Sequence, residues 1–117
     1  DPNQHLWRTY PTLASITKPR PDSLWVIMDE HPDSINDAAF AVECGLTGVA
    51  AKICDFPAGF HANSGGIAFA DGHSEIHKWV DPRTRPRVNY TGAISQNVAS
   101  PNNPDVAWLQ ARTSALK

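Results

Sequence analysis

The chain lacks any apolar run near the ~20 residues that a membrane-crossing helix needs; the longest is the short segment from Leu24 to Met28. It is therefore expected to be soluble as it stands. It has only two cysteines among 117 residues, and they do not form the close pair that marks a redox dithiol or a zinc site. Charge of one sign is also lacking. With 10 basic and 12 acidic side chains the net charge is -2, so no overall field draws the chain to nucleic acid or to an anionic membrane. A Ser-His-Asp order, a glycine-rich phosphate loop, the helical spacing of a zinc protease and a basic-aromatic nucleic-acid surface are all missing. So are repeats and low-complexity tracts. What remains is a chain of one domain's length, with a modest core.

The densest information lies in His61-Ala62-Asn63-Ser64-Gly65-Gly66-Ile67-Ala68-Phe69-Ala70-Asp71-Gly72-His73, where nine residues separate a histidine from an Asp-Gly pair. Asp71-Gly72 between alternating segments predicts a hairpin with a two-residue turn, because Gly72 supplies a positive φ at no steric cost. That turn pairs Ala70 with His73, Phe69 with Ser74, Ala68 with Glu75, Ile67 with Ile76 and Gly66 with His77. Ile67, Phe69 and Ile76 then face a core, while His73, Glu75 and His77 share a polar face with Gly66, Ala68 and Ala70. On residue physics alone this is an ordinary hairpin at the edge of a small sheet.

Elsewhere the reading is coarser. Four prolines in residues 1–22 predict extended chain with short turns. Ser23-Leu24-Trp25-Val26-Ile27-Met28 is apolar at every alternate position on both sides, so a strand here needs cover on both faces. Ser34 as N-cap and Asp37 three residues on predict a short helix to about Glu43, ended by Gly45. Residues 45–66 read as a long loop, and 81–87 as a basic connection that its prolines keep from being helical. Asn103 as N-cap, Pro104 at the first helical position and Asp105 in the first turn predict a final helix anchored by Trp108 and Leu109.

The histidines and carboxylates raise two metal readings. His61, Asp71 and His73 suggest a small metal-dependent hydrolase, although His73 and His77 stand roughly 13 Å apart on an extended strand and cannot share one zinc ion. The simpler role for His61 is structural, donating to Asp71 or to the turn backbone. Asp29, Asp33 and Asp71, with Glu30, Asn36 and Asp37 nearby, could supply oxygens to calcium, although their spacing is not that of an EF-hand. Asn89-Tyr90-Thr91 is an N-glycosylation sequon. Four tryptophans leave a soluble carbohydrate- or protein-binding module as a further alternative.

The H-X9-DG segment, together with Trp25-Val26-Ile27-Met28-Asp29-Glu30-His31-Pro32-Asp33-Ser34 and Asn103-Pro104-Asp105-Val106-Ala107-Trp108-Leu109-Gln110, closely resembles the C-terminal globular region of type IV pilin-like and type II secretion pseudopilin-like proteins. These carry the processing-associated H-X9-DG domain. The resemblance implies an α+β fold over residues 1–117, a small antiparallel sheet with short helices forming a pilin-like globular head without the long N-terminal helix. His61, Asp71, Gly72 and His73 become a structural motif, and the chain a filament subunit rather than an enzyme. It also implies a place outside the cytoplasm, in an extracellular filament or the periplasm, and an apolar helix as partner. A start at Asp1 leads us to expect that helix either upstream in the same protein or on a separate chain, in a homo-oligomeric or two-chain filament, with membrane contact only through that helix. In an exported head Cys44 and Cys54 are expected to be oxidised, and a bridge closing this short loop would contribute roughly 2–3 kcal/mol. Major pseudopilins hold calcium in this part of the head, which adds interest to the acidic cluster without assigning its ligands.

Overall fold

The computed structural model describes residues 8–35, 40–60, 62–90, 94–95 and 97–114, and it is an α+β domain. Three strands form the main antiparallel sheet in the order β1 (Trp25–Met28), β3 (Ser64–Phe69), β4 (Ser74–Lys78). β2 (Lys52–Ile53) and β5 (Val98–Ala99) make a second, two-stranded antiparallel sheet. The helix α1 spans Pro104–Ala111. Short 3-10 turns occupy Leu13–Ser15, Pro32–Ser34, Gly48–Ala50 and Pro82–Thr84.

The helix joins two buried clusters. Val106 packs with Ala51, Ile53 and Phe56, and Leu109 packs with Ile67, Phe69 and Trp79. Trp25, Met28, Val42 and Trp108 close round the second group. The start of α1 is fixed as its sequence predicts. Asn103 Oδ1 accepts from the Asp105 amide at 2.8 Å, which satisfies one of the free donors of the first turn.

The carboxylate of Asp105 is buried and accepts from the Val80 amide at 3.1 Å, the Asp81 amide at 2.9 Å and the Thr84 hydroxyl at 2.7 Å. This ties the segment after β4 to the helix. Trp79, fully buried, donates its indole N–H to the Ala58 carbonyl at 3.0 Å. Gly65 makes that crossing close: a Cβ there would lie 2.3 Å from the Ala58 oxygen.

The predicted helix beginning at Ser34 is corrected. Ser34 instead closes a 3-10 turn capped by His31, whose Nδ1 accepts from the Asp33 amide at 3.1 Å. Its hydroxyl donates to Glu30 at 3.0 Å and accepts from the Phe56 amide at 2.9 Å. A side chain held by Glu30 and by the distant Phe56 amide is not free to cap a helix, and Ile35 continues in extended backbone. Residues 40–43 carry no helix, and Asn36 and Asp37 lie outside the described residues.

Candidate functional site

The β3–β4 hairpin carries the motif, in a register one residue away from the predicted one. Ala68 pairs with Ser74, Ile67 with Glu75, Gly66 with Ile76 and Gly65 with His77. The loop has three residues, not two. The Gly72 amide donates to the Phe69 carbonyl at 3.0 Å and the Phe69 amide to the His73 carbonyl at 2.9 Å. Gly72 takes φ 92° while Asp71 does not enter the left-handed region, so this is a turn followed by a glycine bulge rather than a mirror-image turn. The Ala70 and Asp71 amides are held by the carbonyls of Leu24 (2.9 Å) and Pro21 (3.1 Å), which draws the loop towards the preceding segment.

A slip of one residue exchanges the two faces of a strand. His77 therefore points inward rather than out. Its ring stacks on Trp108 with centroids 3.7 Å apart and meets Trp79 edge-on at 4.8 Å. Ile76, expected in the core, stands 62% exposed on the other face.

At the tip, Asp71 accepts from the His73 amide at 3.0 Å and its carboxylate pairs with His73 Nδ1. His73 Nε2 lies 3.5 Å from Glu75, and the ring stacks on Phe69 at 4.5 Å. The hydrogen bonds from His73 hold the Asp71 carboxyl below its usual range, and the Asp71 carboxylate raises His73. This is a locked turn. The remaining motif residue, His61, lies outside the described residues.

The acidic residues do not gather. Asp33 is buried and accepts from the Asn89 amide at 2.7 Å, Asp71 is engaged at the tip, and Asp29 sits beside Gly66, five residues or ~16 Å along the sheet from Asp71. Among the described residues no three metal-ligating side chains converge, so the calcium set Asp29, Asp33, Asp71 has no common centre. Cys44 and Cys54 are free, half-buried thiols here rather than a bridged pair. Burial, then Glu43 and Cys54, push the Cys44 thiol up to about 11, and burial raises Cys54 as well. At neutral pH both are protonated, the unreactive form. Asn89 is exposed, and Thr91 of its sequon falls outside the described residues.

The feature that the sequence suggested only in outline is the outer face of the main sheet. In β1 a bulge between Trp25 and Ile27 turns Trp25 and Met28 towards the core. Val26 and Ile27 stay 51% and 68% exposed. Ile27 flanks Ala68, and Ile76 flanks Gly66 across β3. With two small residues between two isoleucines, the surface forms a shallow depression of about 320 Å3, in which the Asp29 carboxylate lies over Gly66 and Glu75 also contributes to the lining. No protein-family model matches the chain, and neither a curated protein nor a solved structure matches it.

His77 makes the inward-facing side sensitive to acid. Burial lowers its pKa, outweighing the nearby Asp105 and Glu75, which raise it, and Arg112 lowers it further. As pH falls below the unfolded value, the unfolded chain takes up a proton that the folded one refuses, so stability falls with acid. The melting temperature is expected to drop between about pH 7 and pH 5. His77→Phe, which keeps a ring on Trp108, should flatten that drop; an unchanged slope would show that His77 does not cause it.

Proposed function

We propose that this chain is the globular head of a pilin-like or pseudopilin-like filament subunit, a structural protein of an extracellular or periplasmic filament. The open sheet face is where the head seats on an apolar pilin-type helix, supplied by its own protein or by a separate chain. The observation that carries this reading is the exposure of Ile27 and Ile76 on one face of the sheet, on either side of Gly66 and Ala68, with the Asp29 carboxylate over Gly66 as the polar group between them. Covering apolar side chains of this size contributes ~1.5–3 kcal/mol each when burial is complete. The locked Asp71–His73 turn and the resemblance of the H-X9-DG segment support the same reading. Heads would meet their neighbours through exposed aromatic side chains such as Phe60 and Tyr90.

The double substitution Ile27→Asp, Ile76→Asp tests it. Both side chains are exposed, so the folded head should lose no more than ~0.5–1 kcal/mol in urea unfolding. Electron microscopy of cells producing the subunit with its helix should show filaments for the parent and none for the variant. Filaments of normal length and number from the variant would overturn the docking surface.

A further inference from the structure

A second cleft lies away from the open sheet face, between residues 17–23 and the C-terminal end of α1. It is lined by Lys18, Arg20, Arg112, Thr17 and Ser23, over Pro19 and Ala111. Among the described residues its lining contains no carboxylate. Arg8 donates to the Thr17 hydroxyl at 3.1 Å and adds a fourth cation at the rim. Four of the ten Lys and Arg side chains of an acidic chain thus meet at one place. Asp22 lies 3.7 Å from Arg20 and is exposed, a contact that water screens.

The end of a helix normally repels anions through its free carbonyls. Here the carbonyls of Trp108, Leu109 and Gln110 are engaged. The Arg112 amide and the Thr113 hydroxyl both donate to Leu109 O at 3.1 and 2.6 Å, and Arg112 Nη1 donates to Trp108 O at 3.2 Å. The guanidinium also lies 4.1 Å over the Trp108 ring, which fixes its plane. Among the described residues one of its five N–H donors is used, which leaves others to meet a ligand. Thr17 accepts from Arg8 and so retains its own hydroxyl proton to donate.

We propose that this cleft binds the phosphate or sulfate group of a sugar-sized ligand. Guanidinium and ammonium groups with hydroxyl donors match a multi-oxygen anion through charge-assisted hydrogen bonds, and of the cations here Arg112 is held in place by Trp108. The cleft, about 360 Å3 and open to solvent, exceeds the oxyanion alone and leaves room for an attached ring against Pro19 and Ala111.

Amide NMR titration with inorganic phosphate, glucose 6-phosphate and uncharged glucose tests it. Shifts at Thr17, Lys18, Arg20, Asp22, Ser23, Ala111 and Arg112 are expected with both anions and not with glucose, weakening as salt rises. Tighter binding of glucose 6-phosphate would place the sugar in the cleft, and equal affinities would overturn the sugar part of the proposal. The variant Lys18→Ala, Arg20→Ala should bind about tenfold or more weakly with the remaining spectrum unchanged. Shifts absent from these residues, or undiminished in the variant, would overturn the site. Binding here does not involve Ile27 or Ile76, so its failure and that of the filament reading are separate results.

Discussion

Replacing Trp79 with alanine is expected to cost ~3–5 kcal/mol of folding free energy, a large part of the 5–15 kcal/mol that holds a typical domain together. The indole is fully buried between β3 and α1, within the cluster of Ile67, Phe69 and Leu109. Truncation opens a cavity there and leaves the Ala58 carbonyl without its 3.0 Å donor. Gly65 marks how closely the backbone is packed here, because even a Cβ at that position would lie 2.3 Å from the Ala58 oxygen. Urea unfolding should show a lower midpoint at constant slope. Trp79→Phe keeps most of the apolar area and loses the N–H, so a loss of ~1–2 kcal/mol is expected. A loss below about 1 kcal/mol for the alanine variant would mean that Trp79 is not the centre of the core.

The same residues explain what could be read from the sequence. The strand over Trp25–Met28, the hairpin and the helix opened by Asn103 and Pro104 all form where local signals place them. Each signal there is short-range: alternation, a turn glycine, a cap with proline behind it. The errors come from long-range contacts that outweigh local preference. Ser34 has the chemistry of an N-cap, and Glu30 with the Phe56 amide claims its hydroxyl. Asp71-Gly72 suits a two-residue turn, and carbonyls of Pro21 and Leu24 take the loop amides and lengthen the turn by one residue. That single residue decides which face His77 and Ile76 occupy. The pairing of β2 with β5 joins segments 45 residues apart, from Ile53 to Val98, and has no local signature at two residues per strand.

The open face shows the two levels acting together. The strand itself was legible in the apolar run from Leu24 to Met28; the bulge that sends Val26 and Ile27 outward together was not. A bulge shifts alternation by one position, so its site depends on the partner strand rather than on the strand that carries it. Likewise the basic cleft draws on residues 17–20 and on Arg112, which only the docking of α1 brings together.

Replacing Asp105 with alanine should cost about 3 kcal/mol or more, because three donors lose their acceptor at once in a buried setting. The Val80 and Asp81 amides and the Thr84 hydroxyl all converge on this carboxylate, which also lies in the positive first turn of α1. Asp105→Asn distinguishes acceptor geometry from charge. Its single oxygen can serve the paired donors of Asp81 and Thr84, while its amide group must oppose the Val80 N–H, so a smaller loss of ~1–2 kcal/mol is expected in urea unfolding. Equal stability of the Asn variant and the parent would show that shape alone holds this junction. Trp79 adjoins Val80 in sequence, so the core and the cap of α1 share one short segment. The double variant Trp79→Phe, Asp105→Asn should therefore depart from the sum of its parts by at least ~0.5 kcal/mol. Strict additivity would mean that α1 docks on the sheet independently of its cap.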